Sequence, residues 1–244
     1  MRLKRLPFRA LVGCVTLALL VGVGLIRSAM AHEVTPMRAE LVPAAGVRSA
    51  LVTVRNTRET DLPFEVVVQR RTTAPDGTET LTPAAEDFIV FPPQGLVKPG
   101  ASQAVRFEYV GEQSLTESRS YLLDVREVPV TPPGFSGILT VYNFGVAVYV
   151  KPRAAFVDLE ISDVSRDGDS IRFSVKNRGN DFAVLSRGTV ALRLGDQMVQ
   201  IAGPEFGSRT NNPVVPPNSV RQFDMRADGL PAGTPSAIRF VKAE

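Results

Sequence analysis

Residues 138–150, ILTVYNFGVAVYV, alternate in a way that constrains the fold of the whole chain. The larger apolar side chains share one face, on which Thr140 is the only polar residue. A strand of this length exceeds the usual ~5–6 residues. We therefore predict that its first half extends past the core of a small β-domain. Its side chains would then be available to another molecule. An open apolar edge promotes aggregation, so we expect a partner to cover this one.

The rest of the sequence is also typical of an all-β protein. Short runs rich in Val, Phe, Leu and Thr alternate with turn clusters, and no helical period is sustained. We predict two Ig-like β-sandwich domains, at 32–152 and 153–244, because Lys151-Pro152 closes the first series of strands. The predicted strands are 49–56, 63–70, 88–91, 103–109, 121–128, 156–164, 171–176, 188–194, 197–201, 221–225 and 237–241.

Residues 1–31 have the features of a signal peptide. A basic start is followed by the apolar run 10–26 and by Ala29-Met30-Ala31, a small-x-small cleavage site. Cleavage would make His32 the first residue and leave no stable membrane insertion. A retained membrane anchor is the alternative, although the apolar run is short for a membrane span.

Removal of this segment would change the charge of the chain. It holds five of the 28 basic residues and none of the 25 acidic ones, so a mature chain would carry 23 basic and 25 acidic residues. A nearly neutral chain gives no reason to expect nucleic acid or anionic lipid as a partner. The single cysteine, Cys14, lies in the same segment, so we expect no internal disulfide.

Four sequence motifs, in order, resemble the pilus-assembly chaperones of the PapD type. They are FIVFPPQGLVKPGASQAVRF at 88–107, SRSYLLDVREVPV at 118–130, IRFSVKNRGNDFAVL at 171–185 and VVPPNSVRQF at 214–223. The resemblance implies two Ig-like sandwiches in an angled, boomerang arrangement with a cleft between them. It also implies a periplasmic protein that is not an enzyme and needs no cofactor or nucleotide.

The resemblance further implies a mechanism, donor-strand complementation. The family lends its long strand to an unassembled pilus or fimbrial subunit until the subunit reaches an outer-membrane usher. By this likeness Ile138, Thr140 and Tyr142 would be donor side chains, and Phe144 would lie deeper, toward the chaperone's own core. Thr140 is small and polar for this role, so the subunit pocket that it meets should be shallow or polar.

Arg38 stands where the family has an arginine that binds the subunit's C-terminal carboxylate. A guanidinium can meet both oxygens of a carboxylate. The lysine that assists this arginine in the family corresponds here to Ala147. Either another cation replaces that lysine, or backbone donors hold part of the subunit's end.

A second departure concerns the ion pairs that the family forms between its domains. Lys151 takes the place of an arginine, and Ser118 replaces a glutamate, although Glu117 is adjacent. An ion pair between Lys151 and Glu117 is therefore one possibility. Because lysine cannot reproduce a bidentate fork, the domain angle could be set differently. These changes are typical of a divergent branch of the family.

Other functions have weaker support. His32 at a new N-terminus would suit a copper site, but it is the only histidine, and we expect a disordered terminus instead. No nucleophile motif accompanies any serine, and the acids near Gly168 lack the spacing of a calcium loop. We therefore expect no metal site. The remaining alternative is a secreted Ig-like adhesion or structural protein without chaperone activity.

Overall fold

The computed structural model describes residues 32–130, 134 and 136–242. The predicted signal peptide lies outside these residues. Within them, 18 strands and one α-helix form two β-sandwiches that follow one another along the chain. None of the described helices is both long enough and apolar enough to cross a membrane.

The first sandwich packs a four-stranded sheet, β1-β3-β8-β6, against a six-stranded sheet, β2-β10-β9-β4-β5, in which β7 also pairs with β4. Strand β10 pairs antiparallel with β9 and parallel with β2. The strands are β1 (Glu33–Thr35), β2 (Arg38–Leu41), β3 (Ser49–Arg55), β4 (Leu62–Thr73), β5 (Glu79–Pro83), β6 (Phe88–Phe91), β7 (Gln94–Val97), β8 (Ser102–Tyr109), β9 (Arg119–Glu127) and β10 (Asn143–Val150).

The second sandwich packs sheet β11-β12-β17 against sheet β15-β14-β18, with a short pair β13-β16 beside them. Its elements are β11 (Leu159–Asp167), β12 (Ser170–Asn177), β13 (Ala183–Val184), β14 (Gly188–Leu194), β15 (Gln197–Ala202), α1 (Gly203–Arg209), β16 (Val214–Val215), β17 (Ser219–Arg226) and β18 (Pro235–Lys242).

Each sandwich has its own apolar core, and the two do not merge. Alternate residues of β10 supply the first core, with Val146, Val148 and Val150 at most 1% exposed. Phe173, Phe206 and other apolar residues fill the second. Full burial of one such side chain stabilises the fold by roughly 1.5–3 kcal/mol. The predicted all-β class with two sandwiches is confirmed.

The short helix α1 is absent from our sequence prediction. Its two turns begin with Pro204 near the N-terminus and place Glu205 four residues before Arg209, with which it forms an ion pair of 2.9 Å. Phe206 is fully buried. So short a segment shows no sustained helical period, and packing of Phe206 stabilises it instead.

The predicted long strand at 138–150 is wrong in its first part. Strand β10 begins only at Asn143, which pairs with Arg126 near the end of β9. Residues 138–142, which we name the lead segment, have no partner strand among the described residues. A strand exists only where a neighbour accepts its backbone hydrogen bonds, and the apolar alternation does not supply that neighbour.

Candidate functional site

The lead segment exposes a run of side chains that are apolar except for Thr140. Ile138 is 94% exposed, and Leu139, Val141 and Tyr142 are each about two-fifths exposed. Monomeric proteins seldom leave such a patch without a use. Of the predicted donor residues, Ile138, Thr140 and Tyr142 are exposed here, whereas Phe144 is half-buried against the core. The donor role of these residues stays a prediction.

A half-buried ion pair fixes the point where the lead segment joins β10. Both guanidinium Nη atoms of Arg58 donate to the carboxylate of Glu127, at 2.5 and 2.8 Å. The same carboxylate accepts the backbone N–H of Tyr142 at 3.1 Å. Burial opposes the ionisation of Glu127, but these bonds and the charge of Arg58 outweigh it and lower the pKa of Glu127. Glu127 thus holds the last residue of the lead segment.

His32 lies beside this ion pair and is only 2% exposed, so the expected disordered terminus is wrong. Its ring meets the ring of Phe144 edge to face, with centroids 4.7 Å apart. Burial, followed by the nearby charge of Arg58, lowers the pKa of His32, while Glu127 partly opposes that shift. The described residues contain no cluster of His, Cys, Asp or Glu that could hold a metal ion.

A second group of polar residues surrounds Tyr149 on the face of the sheet that meets the second domain. The strand register places Glu40, Tyr149, Ser120 and Arg71 in one row across β2, β10, β9 and β4. Tyr149 is buried, and its ring contacts Phe182 of the second domain at 5.2 Å between centroids. We name this region the cleft.

Arg38 lies in the cleft, directly opposite Ala147 in the register of β2 and β10. Its Nε and Nη2 donate to Glu40 at 3.1 and 2.6 Å, and its Cζ lies 4.1 Å from the centroid of the Tyr149 ring. The side chain is 21% exposed. A partly exposed guanidinium, held by a ring and a carboxylate, is preorganised to bind a further carboxylate.

Arg71 is a second cation in the cleft, and our sequence analysis missed it. Its Nη2 donates to Ser120 Oγ at 3.0 Å and to the hydroxyl of Tyr149 at 3.2 Å. Its Nη1 lies 3.7 Å from Glu79. No local motif marks Arg71, because only the pairing of β4 with β9 brings it next to Tyr149.

The first domain matches a known protein family. Residues 33–154 match the family described as "Pili and flagellar-assembly chaperone, PapD N-terminal domain". The match spans half of the chain. The chain belongs to this chaperone family. No curated protein matches it in sequence.

Solved structures of fimbrial chaperones resemble this chaperone in fold. The class 5 fimbriae chaperone CfaA shares 14% identity at a TM-score of 0.54, covering 88% of this chain and 100% of its own. The CsuC–CsuE chaperone–tip adhesion subunit complex of Acinetobacter baumannii shares 16% identity at a TM-score of 0.54, covering 79% of this chain and 89% of its own. The Salmonella enterica SafA pilin complex with the SafB chaperone shares 17% identity at a TM-score of 0.54, covering 82% of this chain and 86% of its own. At these identities the likeness concerns the fold alone.

The chaperone joins its domains through Lys151, but not by the ion pair with Glu117 that we considered. Lys151 Nζ lies 2.9 Å from Asp181 of the second domain and 2.8 Å from Glu40 of its own. Ser118 Oγ donates to the other oxygen of Asp181 at 2.8 Å. Glu117 instead accepts a bond from the side chain of Asn218 at 3.0 Å. The single ammonium of Lys151 therefore contacts one carboxylate from each domain.

Proposed function

We propose that this chaperone acts in the periplasm, where it binds unassembled pilus or fimbrial subunits by donor-strand complementation and delivers them to an outer-membrane usher. The observation that carries the proposal is the lead segment. It is apolar and exposed, it continues β10, and no described strand pairs with it. A subunit that lacks one strand would supply the missing backbone partners and cover the apolar side chains.

Arg38 would hold the C-terminal carboxylate of the subunit at the inner end of this strand. Its position opposite Ala147 puts it close to the part of β10 that follows the lead segment. The guanidinium already lies on the Tyr149 ring, so binding a carboxylate would immobilise little additional side chain. Arg71 reaches the same ring from the opposite side of the row, and it would supply the second positive charge.

Affinity purification of the tagged chain 32–244 from the periplasm of its own host tests the proposal. We expect a β-rich exported protein in equimolar amount, identified by mass spectrometry. Tyr142→Asp should abolish its recovery, because a charge would enter an apolar groove. Met198→Asp is the matched control, since Met198 is an exposed apolar residue of β15 in the other domain. Recovery of a monomer from piliated cells would instead favour the adhesion or structural function.

A second experiment tests the carboxylate contact with the subunit so identified. Addition of a few residues to the C-terminus of the subunit would displace its carboxylate from Arg38. Capture should then weaken as much as it does with Arg38→Ala. Combining the two changes should cost no more than either alone. Additive losses would show that Arg38 does not bind the subunit's chain end.

A further inference from the structure

Arg221 of β17 is a fully buried arginine whose hydrogen bonds all go to backbone carbonyls. Nε donates to Val214 at 3.0 Å, and Nη2 donates to Asn212 at 2.8 Å and Asn211 at 3.1 Å. Nη1 donates to Pro75 at 2.6 Å. Burial lowers the pKa of Arg221, while the charges of Asp76 and Glu79 oppose that shift.

Pro75 belongs to the first domain, so this cluster joins the two domains. It lies in the turn between β4 and β5, at residues 74–78, which we name the hairpin turn. The backbone N–H of Gln222 also donates to Pro75, at 2.8 Å, and the side chain of Asn212 donates to Gly77 at 3.2 Å. The hairpin turn is therefore held by β17 and by the chain before β16.

The hairpin turn fits closely around the guanidinium. Gly77 has a φ of +93°, and a Cβ on it would lie 2.5 Å from Nη2 of Arg221. Only glycine allows both this backbone conformation and this approach. The sequence Pro75-Asp76-Gly77 thus does more than reverse the chain, because it accepts a side chain of the second domain.

The same hairpin extends into the cleft. Arg71 lies on β4 shortly before the hairpin turn and bonds to the hydroxyl of Tyr149. Glu79, just after the turn, lies 3.7 Å from Arg71 and accepts a bond from the side chain of Asn212 at 3.0 Å. A short chain of contacts therefore runs from Arg221 and Asn212 through the hairpin to the ring on which Arg38 lies.

We propose that Arg221 is a positioning residue that fixes the angle between the two domains by binding the hairpin turn. The domains are also joined at the end of β10, where Lys151 and Ser118 contact Asp181 and Tyr149 contacts Phe182. Contacts at that one end leave a rotation about it, which a further attachment at the hairpin turn removes. The orientation of the cleft toward a bound subunit then depends on Arg221. The effect of Arg221 on the orientation toward a subunit rests on the proposed function, but the fixed angle between the domains does not.

Distance measurement between spin labels tests the proposal on the chain 32–244, which contains no cysteine. Labels at Gln103→Cys in the first domain and Asp196→Cys in the second occupy exposed positions. We expect a single narrow distance distribution in the parent. Arg221→Lys should broaden it, because the carbonyls of Pro75, Asn212 and Val214 bind three different nitrogens of the guanidinium, whereas lysine has only one nitrogen. Arg172→Lys, an exposed arginine on the neighbouring strand β12, is the matched control and should leave it narrow.

Gly77→Ala tests the same contact from the first domain, without any change in the core of the second. It should displace the hairpin turn from Arg221 and broaden the distribution in the same way. Dispersed amide signals in two-dimensional NMR spectra verify that each domain remains folded. Narrow, unshifted distributions in both folded variants would overturn the proposal, and so would equal broadening in Arg172→Lys.

Subunit binding measured on the same variants separates this inference from the proposed function. We expect about tenfold weaker binding for Arg221→Lys and unchanged binding for Arg172→Lys. Broadened distances with unchanged binding would overturn the dependence of subunit binding on Arg221, but not its effect on the angle. If the parent itself bound no subunit, the proposed function would fail, while the label distances would still decide whether Arg221 fixes the angle.

Discussion

The guanidinium of Arg38 lies on the ring of Tyr149, with Cζ 4.1 Å from the ring centroid. Arg71 Cζ lies 5.9 Å from the same centroid, and Phe182 contacts that ring from the second domain. One buried side chain therefore touches both cations of the cleft and also the neighbouring domain. Changes at Tyr149 should affect subunit binding without a direct contact to the subunit.

Replacement of Tyr149 by leucine should weaken subunit binding by roughly fivefold. The ring supplies about 1 kcal/mol of cation–π attraction to a partly buried guanidinium, and leucine supplies none. Titration calorimetry with the co-purified subunit measures the loss. Tyr149→Phe keeps the ring and removes only the bond to Arg71, so it should bind nearly as well as the parent. Equal losses in both variants would assign the effect to the hydroxyl.

Installation of a lysine at Ala147 should restore subunit capture to Arg38→Ala. The two positions face each other in the register of β2 and β10, so an ammonium at 147 can approach the place that the guanidinium leaves. We expect a recovery of about tenfold, measured by co-purification and calorimetry. Ala147→Met, of similar length but uncharged, is the control. Recovery with methionine as well would show that bulk and not charge is required.

Loss of the pair between Lys151 and Asp181 should destabilise the contact between the domains. Asp181→Ala leaves Ser118 without its acceptor and removes one of the two carboxylates that contact Lys151. We expect a decrease of about 2 kcal/mol in the free energy of unfolding, measured in urea. The exposed pair of Arg172 and Asp224 is the control, and Asp224→Ala should cost far less.

The stability of the first domain should fall in two separate ranges as the pH decreases. The pKa of His32 is lowered from its ordinary 6.5, so the unfolded chain takes up a proton first and stability decreases below neutral pH. The pKa of Glu127 is lowered from 4.5, so its contribution is complete above that value and is lost as the pH falls through the folded pKa. Thermal unfolding between pH 7.5 and 3 measures both.

Variants assign these two ranges to their residues. His32→Leu should remove the decrease just below neutral pH and leave the acidic one. Glu127→Gln should be less stable at pH 7 and should flatten the acidic decrease, because it no longer ionises. An unchanged profile in His32→Leu would contradict the assignment to the buried imidazole.

Amide hydrogen exchange should be faster in the part of the predicted long strand before Asn143 than in the part after it. Residues 147–150 pair with described strands on both sides, β9 and β2. Residues 138–141 have no described partner strand, so their amides should exchange faster by orders of magnitude. Addition of the subunit should protect residues 138–142. Protection that is already strong in the free chain would mean that the lead segment has a partner before a subunit binds.

The sequence indicated most of the fold because the signals for strands are local. Alternation and turn residues predicted β3, β8 and β12 within one or two residues. Strand β1 ends just before Pro36 and β2 lies between Pro36 and Pro43, so each has too few residues for a pattern, although β2 carries Arg38. Their existence depends on β3 and β10, which are distant in sequence.

The candidate site was less predictable because its contacts join separate segments. Arg38 could be found by resemblance, and Arg221 lies within the motif at 214–223, but no motif marks Arg71 or the contact of Arg221 with the first domain. Arg71 reaches the cleft only through the register of β4 and β9, and Arg221 only through the packing of the domains. For the lead segment, apolar alternation was correctly recognised but says nothing about whether a neighbouring strand is present.

The parallel pairing of β2 with β10 also sets a limit on length. Among the described strands, β2 covers this edge of β10 only from Ala147 to Val150. A partner chain that adds along the remaining edge, residues 138–146, meets the chaperone's own strand at Arg38. At ~3.3 Å per residue this edge measures about 30 Å. Strand β2 would therefore block further pairing, so its position limits how far along β10 an added chain can extend.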